Sequence, residues 1–279
     1  MNRRPIFLIT ALAFGFAFFY IPILSMIVYS FNGSRLATVW GGFSTKWYVS
    51  LLSNRQVIAA VILSLKIALI SATMATILGT MAGIALARFR KFRGRLFFSG
   101  MVTAPLIMPD VITGISSLML FILMAEWIGW PATRGFTTVT LAHITFSLVY
   151  VATIVRSRLL QAEKDIEEAA MDLGSRPWQV MFDITLPVIF PAILSGWLLA
   201  FTISLDEVVI TSFTTGPGNT TLPLLIWSKV KLGVTPDVNA LATLTVLVVG
   251  LGVAIAGWVM NRAQKRRDRD ARMAVRANE

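Results

Sequence analysis

Long runs of apolar residues, separated by short polar or charged segments, dominate the pattern along this chain. A helix needs about 20 predominantly apolar residues to cross the roughly 30 Å hydrocarbon core of a bilayer. Six runs are long enough, and they lack the period-two alternation that is typical of barrel strands. They cover residues 6–31, 57–87, 97–125, 137–155, 186–213 and 241–260. The pattern therefore predicts an all-α bundle of six transmembrane helices, with residues 1–279 forming a single transmembrane domain.

Composition supports a membrane protein and excludes several other classes. Hydrophobic residues make up 56% of the chain and charged residues only 14%, whereas a soluble domain carries about 25% charge. The chain has no cysteine, which excludes a disulfide framework, a thiolate zinc site and an iron–sulfur cluster. We therefore expect no metal site and no ordinary soluble enzyme.

The basic residues predict the orientation of the six helices. The chain carries a net charge of +11, and 18 of its 25 Lys and Arg residues lie in the alternate segments that include both termini. Six lie in the other segments, and Lys66 lies within the second run. The positive-inside rule then predicts that both termini are cytoplasmic in a bacterial inner membrane. Topology and membrane lipid account for the basic excess, so we expect no nucleic-acid partner. For residues 265–276 we favour a basic flank that anchors the last helix over a polybasic site that binds lipid or nucleic acid.

One polar segment, residues 156–187, differs from the rest of the chain and holds six of its fourteen acidic residues, Glu163 among them. Its apolar residues recur at the spacing of an amphipathic helix, at Ile166, Ala169, Ala170 and Leu173. Gly174 suits the position after a helix end, and Pro177 suits the start of a second short helix. On these residues alone, a knob for a cytosolic partner and a connector that packs on its own bundle remain equally open.

The same segment carries the pattern EAA-x3-G-x9-I-x-L-P, with every defined position matched. These positions are Glu168, Ala169, Ala170, Gly174, Ile184, Leu186 and Pro187. It therefore resembles the EAA motif of ABC-importer permeases. The resemblance implies that the first short helix is a coupling helix that docks on an ATP-binding subunit, and that Glu168 orients the loop or contacts the ATPase.

Two further phrases, residues 103–114 and 204–223, resemble the polyamine branch of this family, the PotI/PotC type. The resemblance implies a type I ABC importer (MetI-like) permease fold and transport of putrescine first and spermidine second. It also implies a sister permease in a heterodimer, two ATP-binding subunits and a periplasmic polyamine-binding protein. The chain itself would be a non-catalytic subunit without cofactors, since ATP and Mg would be bound by the partner ATPase. The absence of a GxxxxGK[ST] loop agrees with this expectation.

Three acidic residues lie inside the predicted helices, at Asp110, Asp206 and Glu207. A charge at the helix centre costs about 2.5–3.5 kcal/mol on insertion scales, so such residues indicate function. Pro105 and Pro109 interrupt the third run just before Asp110, and broken helices are tolerated where they line protein or water. We expect an acidic substrate path whose carboxylates pair with the ammonium groups of a polyamine. The alternative is that Asp206 or Glu207 pairs with Lys66 or caps a helix end.

The remaining candidates are weaker. His143, the single histidine, is expected to form interhelical hydrogen bonds in preference to relaying protons. The segment 216–237 would be either a connector or a docking site for the binding protein, with Lys229 and Lys231 meeting its acids.

Three other functions stay open at this point. The same kind of permease could carry an iron complex, a sulfate-like anion or another small solute. A stand-alone secondary transporter would predict inverted repeats and usually more than six spans, and it would leave the EAA segment without a role. An intramembrane enzyme would lack a catalytic constellation.

Overall fold

Helices account for nearly all of the residues that the computed structural model describes, which are 3–36, 39–89, 91–162 and 165–277. Within these ranges the helices are α1 Arg3–Ser30, α2 Lys46–Ser53, α3 Arg55–Arg88, α4 Arg95–Ile107, α5 Asp110–Ile128, α6 Phe136–Gln161, α7 Asp165–Asp172, α8 Pro177–Gln179, a π-helical segment Val180–Thr185, α9 Leu186–Asp206, α10 Val209–Thr214, α11 Leu222–Leu232 and α12 Pro236–Ala277. The predicted all-α class is confirmed.

Six helical segments within the described ranges are long and apolar enough to cross a membrane. They are Ile6–Ser30, Arg55–Arg88, Asp110–Ile128, Phe136–Gln161, Pro177–Asp206 and Pro236–Ile255. The predicted number of spans is therefore confirmed. Their bounds differ most from the prediction in the third and fifth runs, where the chain breaks the helix.

The third run consists of two helices, so the prediction of one helix over 97–125 is wrong. Met108 and Pro109 have extended backbones, with ψ of 135° and 142°. Pro109 has no N–H, and its ring disfavours helical geometry at the preceding residue, which ends α4 at Ile107. Asp110 is therefore the first residue of α5 and does not lie midway along a continuous helix. An interruption was expected from both Pro105 and Pro109, but Pro105 lies inside α4 and does not end it.

The fifth run is also broken, although it contains no proline at the break. The helix ends at Asp206, Glu207 has an extended backbone with ψ of 113°, and α10 begins at Val209. The prediction of one helix over 186–213 is therefore wrong. Its start also differs, because the chain passes from Pro177 through the π-helical segment into α9 without a break.

Contacts divide the chain into two compact units. The larger comprises Ala60–Leu224 with Gly257–Glu279, and its core lies around α6, the most buried of the candidate spans. Its apolar centre is formed by Ala72, Ala87, Val151, Val155, Leu159, Ile189 and Ala200. Glycines of α3 permit close approach to α6, since a Cβ at Gly79 would lie 2.8 Å from the Leu148 carbonyl oxygen. Small residues at helix interfaces are the usual means by which membrane helices pack closely.

The smaller unit comprises Met1–Ala59 and Leu225–Ala256. The loop that follows α1 is organised by the buried side chain of Asn32. Its Oδ1 accepts the N–H groups of Ser34 at 3.0 Å and Gly41 at 2.7 Å, and its amide donates to the Val39 carbonyl at 2.8 Å. The backbone groups of an irregular loop are thereby satisfied by one side chain.

Candidate functional site

Helix α7 contains the first half of the EAA pattern and ends in a tight glycine turn. Gly174 has φ of +91°. Its N–H donates to the Met171 carbonyl at 2.9 Å, while the Ser175 N–H donates to the Ala170 carbonyl at 3.0 Å. This pair of bonds is a Schellman motif, which needs a left-handed residue at the position of Gly174. The predicted helix stop is confirmed. Glu163 and Lys164, in the same segment, lie outside the described residues.

The apolar stripe of α7 is not covered by the described part of the chain. No residue of this helix is buried. Glu168 and Ala169 are exposed, and the side chain of Leu173 is 89% exposed, with Ile166 at 54%. An amphipathic helix that buries no apolar face against its own bundle favours the interpretation that a partner covers it.

The second half of the EAA pattern lies in a different environment. Ile184 belongs to the π-helical segment, and Leu186 packs against the apolar core around α6. The Leu186 N–H donates to the Met181 carbonyl, five residues earlier, which defines the π geometry. Pro187 is exposed in the first turn of α9. These three residues join the segment to the bundle, whereas Glu168, Ala169 and Gly174 face outwards.

A partly buried ion pair connects α7 to the bundle, and sequence reasoning missed it. Arg88 Nη2 lies 2.5 Å from Glu167 Oε1, and their side chains are 14% and 17% exposed. The same oxygen accepts the Thr185 hydroxyl at 2.9 Å. A cavity of about 250 Å³ lies beside these groups and is also lined by Arg158 and Ile166. Arg88 and Glu167 are 79 positions apart, so no local pattern could have paired them.

The three acids expected in the substrate path lie at the two helix breaks. Asp110 begins α5, Asp206 ends α9, and Glu207 lies between α9 and α10. Glu207 is close enough to interact electrostatically with both aspartates. Asp110 and Asp206 are exposed and Glu207 is half-buried. Thus residues from two separate runs form one acidic cluster.

Close packing of α10 on α5 brings these breaks together. A Cβ at Gly114 would lie 2.6 Å from Phe213 Cδ2 and 3.3 Å from the Cα of Ile210. Only a residue without a side chain allows this approach. The acidic cluster therefore depends on Gly114, the last residue of the phrase 103–114.

One of the two alternative roles expected for Asp206 and Glu207, the capping of a helix end, is observed. Glu207 Oε1 accepts the Ile210 N–H at 2.8 Å and thereby caps the start of α10. Within the described ranges, the exposed Lys66 forms no ion pair with Asp206 or Glu207.

Tyr150 of α6 is a neighbour of this cluster that sequence reasoning missed. It interacts electrostatically with Asp110 and Glu207. Its ring packs edge-on against Phe146, with centroids 5.6 Å apart, and it lies beside a small core that includes Ile210. The signal available in the sequence was a polar aromatic residue well inside the fourth run.

His143 forms hydrogen bonds to both helices that flank the break between α9 and α10. Its Nδ1 lies 2.7 Å from Ser204 Oγ and its Nε2 lies 2.8 Å from Thr211 Oγ1. Since the Thr211 hydroxyl donates its only proton to the Glu207 carbonyl, it must accept from His143 Nε2–H. Nδ1 then accepts from Ser204. The expected interhelical role of His143 is confirmed.

The lysines expected to meet a binding protein are both engaged within their own unit. Lys229 Nζ lies 2.7 Å from Asp237 Oδ2. Lys231 Nζ lies 5.2 Å from the ring centroid of Trp227. The charge of Lys229 is therefore already compensated, and α11 is tied to the start of α12.

Comparison with known proteins places these features in a family. The family described as "Binding-protein-dependent transport system inner membrane component" matches residues 75–269. The chain is 54% identical over 280 residues to the "Putrescine transport system permease protein PotI" of Escherichia coli (strain K12), covering 99% of this chain and 100% of that protein. It is 44% identical over 247 residues to the "Spermidine/putrescine transport system permease protein PotC" of the same strain, covering 88% and 90%.

Solved structures support the same fold. A bacterial ABC transporter involved in the import of the acidic polysaccharide alginate matches with a TM-score of 0.72 at 15% identity, covering 92% of this chain and 94% of that chain. The MetNI methionine ABC transporter matches with a TM-score of 0.61 at 14% identity, covering 80% and 99%. The chain therefore belongs to the family of binding-protein-dependent transport system inner membrane components, as a multi-pass, non-catalytic permease subunit with the type I ABC importer fold.

Proposed function

We propose that this chain is the permease subunit of an ATP-driven importer that moves a polyamine, putrescine first and spermidine second, across the bacterial inner membrane. The observation that carries the proposal is the 54% identity to PotI along 99% of the chain. The complete EAA pattern and the acidic cluster at the helix breaks support it.

The proposed orientation places both termini and the EAA segment in the cytoplasm, as the distribution of Lys and Arg predicts. Residues 1–279 act as a single transmembrane domain beside a sister permease. Two ATP-binding subunits dock on the coupling helices, and a periplasmic binding protein delivers the polyamine. ATP and Mg are bound by those ATPases. Their closure on ATP would draw the coupling helices together and turn the bundle outwards, and hydrolysis would reset it.

The acidic cluster suits a cationic cargo for two physical reasons. Carboxylates of Asp110, Asp206 and Glu207 replace water around an ammonium group and form charge-assisted hydrogen bonds with it. In addition, Asp206 is at the C-terminal end of α9, where the helix dipole and unpaired carbonyls attract cations. A sulfate-like anion would be repelled by the same groups.

The proposal is tested by competitive uptake in cells that differ only in the presence of this chain. We expect loss of labelled putrescine uptake without the chain and its return on complementation. Unlabelled putrescine should compete better than spermidine, and sulfate should not compete. Unchanged putrescine uptake without the chain, or transport of another labelled solute in its place, would contradict the cargo. Co-purification of an ATPase with the chain separately distinguishes an ABC permease from a stand-alone transporter.

A further inference from the structure

Helix α7 has little to hold it against the bundle except polar contacts. It is eight residues long and buries none of them, and a helix of this length is marginal by itself. Beside it lies the cavity of about 250 Å³ whose lining includes Ile166, Ile184 and Ile189. Apolar packing of α7 therefore does little to fix its position relative to the bundle.

The polar contact that does so is the group formed by Glu167, Arg88 and Thr185, here named the Glu167 strut. One oxygen, Glu167 Oε1, receives both Arg88 Nη2 at 2.5 Å and the Thr185 hydroxyl at 2.9 Å. The ion pair is largely shielded from water, and charge-assisted hydrogen bonds of this kind are the stronger ones. A single carboxylate thus contacts two elements of the bundle.

Both partners of Glu167 are firmly placed. Arg88 is in the last turn of α3, and the same turn is tied to α4 because Arg95 Nη2 donates to the Leu86 carbonyl at 3.1 Å. Thr185 ends the π-helical segment that continues into α9. π-helical turns inside α-helices are often found at functional sites. The strut therefore connects α7 directly to α3, which leads into the membrane, and to the root of α9.

We propose that Glu167 is a positioning residue that transmits displacement of α7 to α3 and α9, and so couples ATP hydrolysis to the movement of the bundle. This inference rests on the proposed function, in which α7 docks on the ATPase. It assigns to Glu167 a role different from that of Glu168. Glu168 faces outwards, whereas Glu167 faces the bundle and carries the movement inwards.

The strut has an electrostatic property that makes it testable. Removing one partner of a buried ion pair leaves the other charge uncompensated, whereas exchanging both partners restores neutrality. Arg88→Glu combined with Glu167→Arg should therefore recover function that either single change loses. If Glu167 contributed only to the shape of α7, the double exchange would not recover function.

The experiment measures ATP hydrolysed per putrescine imported by the complete importer in proteoliposomes, together with the amount of ATPase that co-purifies. We expect Glu167→Ala to raise this ratio by about fivefold, the lower end of typical coupling between sites, while ATPase association stays unchanged. The double exchange should return most of the wild-type ratio. Asp183→Asn is the matched control, because it removes an exposed carboxylate from the adjoining π-helical segment and should leave the ratio unchanged.

A milder pair of variants covers the case in which Glu167→Ala does not assemble. Thr185→Val removes the hydroxyl that donates to Glu167, and Thr185→Ser retains it. We expect a raised ratio for the valine variant and the wild-type ratio for the serine variant. If the wild-type complex imports putrescine but both Glu167→Ala and Thr185→Val leave the ratio unchanged, the role proposed for the Glu167 strut is overturned while the proposed function is not. A wild-type complex that imports no putrescine would overturn the proposed function and this inference together.

Discussion

The two candidate functional regions of this permease are built in opposite ways. The EAA segment comes from one continuous stretch, and its outward-facing half consists of eight helical residues with a glycine turn. The acidic cluster is assembled from two runs that meet only because both helices break and α10 packs on α5. The docking role proposed for the EAA segment can be met by a local motif, whereas the substrate path proposed for the acidic cluster requires residues from several helices.

The largest expected effect concerns the backbone of the EAA segment. Gly174→Val should abolish uptake, because a β-branched residue is strained at φ of +91° and the Schellman turn would open. Uptake of labelled putrescine and ATPase co-purification check this result. Gly100→Val is the control, since a Cβ at either glycine has open space and Gly100 lies within α4, with no positive φ. Equal uptake in the two variants would refute the coupling role of the turn.

A smaller effect is expected in the acidic cluster. Asp110→Asn should weaken putrescine transport about tenfold, which corresponds to losing about 1.5 kcal/mol from a hydrogen bond to a charged group. ATPase co-purification should not change, because Asp110 begins α5 whereas the proposed ATPase contact is made by α7. Glu126→Gln removes an exposed acid of the same helix and serves as the control. If Asp110→Asn transports putrescine with wild-type kinetics, the role of Asp110 is purely structural.

The smallest effect is expected at Tyr150. Tyr150→Phe keeps the ring that packs on Phe146 but removes the hydroxyl near Asp110 and Glu207. A single neutral hydrogen bond contributes about 1 kcal/mol, so we expect the apparent affinity for putrescine to fall about fivefold, with unchanged expression. Tyr20→Phe, on the exposed surface of α1, is the matched control. If Tyr150→Phe leaves the apparent affinity for putrescine unchanged, only the three acids of the cluster contribute to putrescine binding.

The contrast between the regions also explains what the sequence could predict. The glycine turn and the helix break before Asp110 depend on local chemistry, a left-handed residue and a proline, and both are visible in the sequence. The break after Asp206 has no proline to indicate it. Glu207 caps the following helix locally, but His143 stabilises the break through hydrogen bonds to residues 61 and 68 positions away. The Glu167 strut joins residues 79 positions apart. Its pairing depends on how α3 and α7 are placed, which no periodicity encodes.

The most direct test of the central claim is uptake of labelled putrescine by the complete importer in proteoliposomes, with binding protein outside and ATP inside. The account predicts ATP-dependent uptake in the wild type. Gly174→Val should lose both uptake and ATPase association, while Asp110→Asn should lose affinity for putrescine and keep its ATPase. Uptake that continues without ATP, or variants of the two regions that fail in the same way, would contradict the division of function between the EAA segment and the acidic cluster.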